Sequence, residues 1–427
     1  MVSNNLFRQI VRYSIIKMKK YFLLIFVVFA LSSCTHPDSL PDDYNSSITI
    51  EPAFYLQYAT QEFSYHTSDD DNKTVSQGQK YDAFSHLMIY NGYLYAYPYT
   101  TMYRINPENG NITTVCTDPL CTHSNIECPF FDVDFSSFQI VDNAVYFVGN
   151  NTTRNPGKAG FTYYLYDIAA GTSETVNAPH SEDTLRINNP VITDDGWFYY
   201  YDCLYDDDKK DYQYFIRKYS LKTGEDKIVL EPDDFSTTLI DEIDGELYYL
   251  DGIGLGTFDP ETGEKTQLYD GFAGNAGYDD EYFYFRDRDN CLYRLPIGSA
   301  EAERLTDFGV EQYYITDKYL YYKKQETNII GYYEDGTPAD IGSQQIWRMN
   351  KDGTSPELVW EFTGALSCMN VDNFAVLGDY IYSKFYYWDD AQKHYIESQN
   401  AGDNGGNIYL MRVDIENQEL YFFNLTE

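Results

Sequence analysis

At residues 91–95 the sequence is Asn91-Gly92-Tyr93-Leu94-Tyr95, a turn followed by two tyrosines that flank an apolar residue. The same pattern of a turn, a variable residue, an apolar residue and a tyrosine recurs six more times. Those copies end at Tyr146, Tyr199, Tyr248, Tyr284, Tyr321 and Tyr382. Short segments rich in aromatic and apolar residues that follow a turn are typical of β-strands. The sequence therefore predicts seven equivalent strands.

Each copy belongs to a longer repeating unit. Apolar stretches such as residues 138–141 precede the tyrosine strand, and a strand with a polar turn, such as residues 103–110, usually follows it. A polar strand such as residues 112–115 completes the unit, and successive copies lie between 36 and 61 residues apart. A unit of this length can contain four short strands, but it is too short to be a separate β-sandwich of about 100 residues.

Repetition of a four-stranded sheet about an axis gives a β-propeller, in which only short edges stay exposed. We therefore predict an all-β fold, a β-propeller of about seven four-stranded blades over residues 81–427. Six or eight blades are the neighbouring alternatives. A tandem of β-sandwiches is the competing fold.

The N-terminus has the features of a secretory signal peptide. Five basic residues precede an apolar run at residues 21–31, which is too short to span a bilayer. The run ends at Leu31, the first residue of Leu31-Ser32-Ser33-Cys34. We predict a signal peptide at 1–33 and a tether with N-terminal strands at 34–80. An ordinary cysteine at a signal cleavage site is the alternative for Cys34.

The Leu31–Cys34 segment resembles the lipobox of bacterial lipoproteins. Together with the tyrosine repeats, it resembles uncharacterised bacterial lipoproteins that carry a propeller domain and are loosely similar to YWTD-type and TolB-type propellers. This resemblance implies covalent diacylglycerol at Cys34, with no other cofactor. It also implies attachment to the cell membrane, facing outside the cytoplasm. Propellers include enzymes, binding modules and scaffolds, so the resemblance implies no particular activity.

The charge of the chain excludes one class of partner. There are 67 Asp and Glu against 30 Lys and Arg, a formal net charge of −37. Nucleic-acid binding needs a clustered basic surface, so no nucleic-acid partner is expected.

The connections between the second and third predicted strands indicate where a binding site lies. They are long at residues 149–160, 203–211, 324–344 and 388–406. In a four-stranded antiparallel blade, these connections leave on the same face as the connections between blades, and long loops on a rigid scaffold commonly carry function. We expect the following residues on this binding face: Tyr332, Tyr333, Glu334, Tyr387, Trp388, Asp389 and Asp390. The alternative is that these residues pack in outer strands.

The connection after the first unit is rich in cysteine. Residues 116–129 contain Cys116, Cys121, His123 and Cys128. Three interpretations stay open: a disulfide, a reduced cluster, or a soft-metal site of thiolates and imidazole. A single local disulfide of Cys128 with Cys116 or Cys121 is the pairing we expect, and no bound metal is expected.

None of the six histidines lies beside a nucleophile or in a metal-ligand pair by motif, so we expect no catalytic residues. The sequence favours a membrane-anchored, non-catalytic binding or scaffold module for an extracellular peptide, glycan or protein. The alternative is an exported hydrolase that acts on glycans or peptides with carboxylates at the propeller channel.

Overall fold

The computed structural model describes residues 87–424 except 91, 97–101, 107–111, 117, 119, 122–127, 131–132, 142–143, 151–160, 169, 177–189, 194, 207–209, 232–236, 252, 334, 341, 364–368, 390–393 and 398–408. The predicted signal peptide, Cys34 and the tether lie outside this part of the chain. The described residues form β-strands joined by turns. No helix among them is long and apolar enough to cross a membrane.

The strands pair into consecutive four-stranded antiparallel sheets, each in sequence order from one edge to the other. The first three sheets are β1 (Leu87–Tyr90), β2 (Tyr93–Ala96), β3 (Tyr103–Ile105) and β4 (Ile112–Thr114); β5 (Val133–Val141), β6 (Ala144–Asn150), β7 (Phe161–Asp167) and β8 (Thr172–Val176); and β9 (Val191–Ile192), β10 (Trp197–Asp206), β11 (Asp211–Ser220) and β12 (Asp226–Leu230).

The next three sheets include one shared strand, β20, whose first half closes the fifth sheet and whose second half opens the sixth. They are β13 (Thr238–Ile243), β14 (Glu246–Leu250), β15 (Gly254–Phe258) and β16 (Lys265–Asp270); β17 (Gly274–Tyr278), β18 (Tyr282–Arg286), β19 (Cys291–Pro296) and β20 (Glu303–Ile315); and β20, β21 (Tyr319–Lys324), β24 (Gln345–Asn350) and β25 (Glu357–Glu361). A separate hairpin, β22 (Ile329–Tyr332) and β23 (Pro338–Asp340), lies between β21 and β24.

The last sheet contains β26 (Met369–Leu377), β27 (Tyr380–Asp389), β29 (Tyr409–Asp414) and β30 (Glu419–Asn424). The short strand β28 (His394–Glu397) pairs with the far end of β27. The described residues thus form seven four-stranded units.

The repeated tyrosine motif is the second strand of every unit, as predicted. Its apolar residue is completely buried in all seven copies: Leu94, Val145, Phe198, Leu247, Phe283, Leu320 and Ile381 are each 0% exposed. The tyrosine that follows each of them is also buried, at no more than 9% exposure. Neighbouring side chains of a strand point to opposite faces of its sheet, so every sheet is covered on both faces.

The cores between the sheets form a closed series. Separate apolar clusters join the first sheet to the second, the second to the third, and so on to the sixth. The remaining cluster joins the sixth, seventh and first sheets, and it includes Leu87, Tyr314 and Val371. The first strand β1 also contacts β26, the first strand of the last sheet. Sheets packed face to face in a closed ring form a β-propeller, so the predicted all-β propeller class is confirmed.

A cation on the third strand recurs beside the tyrosine motif. In five units it lies over the aromatic ring that begins the motif and opposite the tyrosine that ends it. The pairs are Arg104 over Tyr93, Lys218 over Trp197, Arg294 over Tyr282, Arg348 over Tyr319 and Arg412 over Tyr380, at 5.0, 4.4, 4.6, 4.6 and 4.2 Å from the ring centroid. Such contacts are attractive because the ring face carries partial negative charge.

The second and fourth units have neither the aromatic ring nor the cation. In the second, Ala144 replaces the aromatic residue and Leu165 replaces the cation. In the fourth, Glu246 and Thr257 take these positions. The cation is present only in the units that also have the aromatic ring. The two side chains therefore occur as a cation–π pair.

Ion pairs connect turns at one end of neighbouring sheets. The Lys351 ammonium, between β24 and β25, lies 2.9 Å from a carboxylate oxygen of Asp279, between β17 and β18. Burial alone would raise the pKa of Asp279, but Lys351 and two backbone amides outweigh burial and hold this pKa below its ordinary value. Glu261, between β15 and β16, likewise contacts Lys218 and Lys227 of the third sheet. At this end, charge therefore links the third sheet to the fourth and the fifth sheet to the sixth.

Candidate functional site

The opposite end of the sheets carries the projecting segments. In every unit the connection from the second to the third strand leaves the sheet at this end. The connections between successive sheets do so too, except between the fifth and sixth sheets, which share the continuous strand β20. We call this surface the hairpin face. It comprises the described residues of these two kinds of connection and the strand ends that extend into them.

Three connections on the hairpin face fold as β-hairpins. The segment at 203–211, predicted as a loop, instead continues β10 and β11, which stay paired from Trp197 and Ser220 to Asp206 and Asp211. The expectation of a loop there is wrong, because apolar and aromatic residues continue on both arms and extend the ladder. The predicted loop at 149–160 lies mostly outside the described residues.

The second hairpin, β22–β23, contains two residues predicted for the binding face. Tyr332 pairs with Pro338 and is half-buried. Tyr333 packs against the core shared by the first, sixth and seventh sheets, and Ala339 is completely buried in that core. Glu334 lies outside the described residues. The hairpin is therefore held against the ring and presents only part of its surface to solvent.

Polar contacts fix the base of this hairpin. The Lys323 ammonium is 1% exposed and donates to the backbone oxygen of Val371, 2.9 Å away in the seventh sheet. It also lies 3.5 Å from a carboxylate oxygen of Glu311. Asn328 donates from its side chain to the backbone oxygen of Gly342, across the two ends of the hairpin.

The third hairpin extends the seventh sheet. Tyr387, Trp388 and Asp389, all predicted for the binding face, lie on β27 and pair with Ile396, Tyr395 and His394 of β28. They are strand residues, not loop residues. Asp390 lies outside the described residues.

The exposed apolar side chains are concentrated on the hairpin face. Seven large apolar residues are exposed among the described residues, and five of them belong to that face: Leu120, Tyr212, Ile253, Phe272 and Ile329. The other two, Ile228 and Leu358, lie on the outermost strands. Single exposed apolar residues are common, but none of these seven lies among the described turn residues at the other end, so the distribution is one-sided.

The cysteine segment lies on the hairpin face, between β4 and β5. The sulfur atoms of Cys116, Cys121 and Cys128 all lie within 4.8 Å of one another. No disulfide joins these three cysteines in this structure, and the expected local disulfide stays a prediction. Cys116 and Cys128 are buried, whereas Cys121 is half-buried. His123 lies outside the described residues.

Burial governs the ionisation of these thiols. It raises the pKa of Cys116 and raises that of Cys128 to about 12, because a thiolate is poorly solvated between two packed sheets. The backbone amides of Asp118 and Phe130 donate to the sulfurs of Cys116 and Cys128 and oppose this effect in part.

The remaining cysteines lie elsewhere. Cys291 is a buried free thiol on β19, and the guanidinium of Arg304 lies 3.0 Å from its sulfur. Cys203 lies on β10, and Cys368 is outside the described residues.

No protein-family model matches the sequence, and no curated protein matches it either. Among solved structures, the chain is similar to an oligogalacturonate lyase from Vibrio parahaemolyticus, with 8% identity, 73% of this chain and 85% of that chain covered, and a TM-score of 0.46. It is also similar to the β-propeller domain of the trilobed protease from Pyrococcus furiosus, with 12% identity, 78% and 93% coverage, and a TM-score of 0.44. The fold assignment rests on the strand pairing and the closed series of cores.

Proposed function

We propose that this protein is a lipid-anchored extracytoplasmic binding module that holds an extracellular polypeptide on its hairpin face. One observation carries the proposal: five of the seven exposed large apolar side chains in the described residues belong to that face. Apolar side chains that become buried in a complex supply most of its binding free energy.

The chemistry of the face favours a particular kind of partner. Leu120 is 88% exposed, and Ile253 and Ile329 are 62% and 45% exposed. Aliphatic side chains of this size fit the apolar surface of a polypeptide. Asp211 lies beside Tyr212, and Asp340 pairs with Ile329, so carboxylates flank the apolar residues. A partner with basic as well as apolar side chains would complement this surface.

Serine substitutions at Leu120, Tyr212 and Ile329 test the proposed face. We expect this triple variant to bind at least about 10-fold more weakly to any peptide that the full-length chain selects from an array of extracellular peptides and glycans. The reason is that all three substitutions remove apolar contact area from the face. Binding of the purified chains in detergent to the selected peptide gives the Kd.

The matched control replaces Ile228 and Leu358 with serine. These side chains are 43% and 44% exposed, like Tyr212 and Ile329, but they lie on outermost strands. We expect its Kd to stay within about 2-fold of the wild type, since residues outside a contact area contribute little. Equal weakening in both variants, or none in the triple variant, would contradict the proposed face.

The membrane anchor is supported by the sequence of residues 1–34, with its basic start, short apolar run and small residues before Cys34. Replacement of Cys34 with alanine removes the thiol that would carry the acyl groups. We expect the wild-type chain to take up a labelled palmitate analogue in cells and to enter the membrane fraction, and the variant to lose the label. A Cys291→Ser chain is the control and keeps the label. Equal labelling of the wild type and the Cys34→Ala chain would rule out lipidation at Cys34.

A further inference from the structure

The cysteine segment between the first and second sheets brings together three thiols that the proposed binding function does not use. We propose that Cys116, Cys121 and Cys128 bind one thiophilic metal ion of the Zn²⁺ class. The ion would join the two ends of this connection on the hairpin face.

The distances fit such an ion. Zinc–sulfur bonds of about 2.3 Å in tetrahedral geometry place two sulfur ligands about 3.8 Å apart. The three sulfurs already lie within 4.8 Å of one another, so a small movement of the sulfur atoms toward each other would let all three bind one ion. A disulfide would use two of these thiols and leave the third beside it, whereas a metal ion uses all three.

The surrounding backbone supports the ligand positions. The amide two residues after Cys116 and the amide two residues after Cys128 both donate to the sulfur atoms, and such donors stabilise bound thiolates. The Cys121 amide donates to the backbone oxygen of Asp118 at 3.1 Å, and the Asp118 carboxylate accepts from the Leu120 amide at 2.9 Å. This turn sets the position of Cys121.

The packing fixes the other two ligands. Cys116 and Cys128 are 5% and 0% exposed within the core shared by the first and second sheets. The Tyr166 hydroxyl donates to the backbone oxygen of Val115 at 3.0 Å, next to Cys116. Ligands held by the sheets need little reorganisation to bind an ion.

The donor set determines the class of ion. Thiolates select zinc and other soft ions, while calcium and magnesium take oxygen ligands. Three protein ligands leave one tetrahedral position for water or a further ligand.

Metal titration of the full-length chain tests the site. The chain is reduced, stripped with a chelator without oxygen, and titrated with Cd²⁺, whose bonds to thiolates absorb in the ultraviolet; Zn²⁺ then competes for the site. We expect about one ion per chain. Zn²⁺ should also raise the Tm of the wild-type chain, because a ligand that binds the folded state stabilises it.

The Cys121→Ser variant removes the half-buried ligand and keeps the two core cysteines. We expect its affinity for Zn²⁺ to fall more than about 100-fold. Loss of a residue that only hydrogen-bonds to a metal ligand already lowers metal affinity about 10- to 100-fold, and loss of the ligand itself should lower it further. Cys291→Ser is the matched control and should bind as the wild type does. Circular dichroism verifies that both variants fold.

Three results would overturn the site. The first is metal binding by the Cys121→Ser chain equal to that of the wild type, and the second is no metal binding by the wild type. The third is a disulfide between two of the three cysteines, found by peptide mass spectrometry in the chain as isolated, together with no bound zinc.

Discussion

Replacement of Phe283 by alanine should destabilise the ring by about 3–5 kcal/mol. Phe283 is completely buried in the core between the fourth and fifth sheets. Its ring lies 4.7 Å from that of Tyr248 in the fourth sheet and 5.6 Å from that of Tyr278 in the fifth. The substitution removes these contacts and leaves a cavity that two paired sheets cannot close. Guanidinium denaturation followed by tyrosine fluorescence gives the change in the free energy of unfolding.

Phe272→Ala is the matched control for this prediction. Phe272 lies in the connection between the same two sheets and is 44% exposed. We expect a loss below about 1 kcal/mol, because surface substitutions remove little buried area. Similar losses for the two variants would mean that the core between these sheets does not hold the ring together.

Replacement of Arg217 by methionine should cost about 3–5 kcal/mol. The guanidinium lies 2.8 Å from a carboxylate oxygen of Asp202 and 2.5 Å from one of Asp226, and Asp202 is completely buried. Without Arg217 the two carboxylates lose their cationic partner, and the cost of desolvating them is no longer offset. Asp202 lies on β10 opposite Phe215, just beyond the last residue of β11 that pairs with β12, so its pair with Arg217 also fixes the base of the hairpin that carries Tyr212. Chemical denaturation at neutral pH measures the loss.

Two further variants isolate the charge effect. Lys227→Met removes a pair with Glu261, whose side chain is 63% exposed, and should cost at most about 1 kcal/mol. Asp202→Asn in the Arg217→Met chain should destabilise less than Asp202→Asn in the wild-type chain, with a coupling of about 0.5–3 kcal/mol. Additive losses would refute the proposed pairing of Arg217 with Asp202.

The closed ring explains how the hairpin face can serve as a binding surface. Each sheet is held by cores on both sides, so the hairpins of the third, sixth and seventh sheets project from a fixed frame. A surface that is ordered before binding loses less conformational entropy when the partner docks. The face therefore combines exposed apolar residues with a scaffold that positions them.

The local sequence pattern was sufficient to predict the second strand of each unit. Leu94, Phe198 and Leu320 were assigned to strands from their neighbours alone, and all three are completely buried in the structure. The pattern succeeds because a propeller sheet is covered on both faces, so each repeat needs consecutive apolar and aromatic residues. The prediction of four antiparallel strands in each unit follows from the same spacing and turns.

The recurring cations were not predicted, although their signal is present in the sequence. Arg104 and Arg348 both follow an aromatic residue within a third strand. Only the strand register shows that these cations lie opposite the motif tyrosine and over the ring two residues before it. Register depends on pairing between strands, which the spacing of one strand does not specify.

The sequence by itself determined the strand class, the repeating unit and the cysteines of the first connection, because these depend on residues near one another in the chain. Tertiary structure alone decided that the three sulfurs converge, that Tyr333 packs inward, and that five of the seven exposed large apolar residues of the described part lie on one face. Each of these features is a distance between side chains, or an exposure of side chains, in the folded chain. Such distances are set by ring closure and sheet packing, which the local order of residues does not encode.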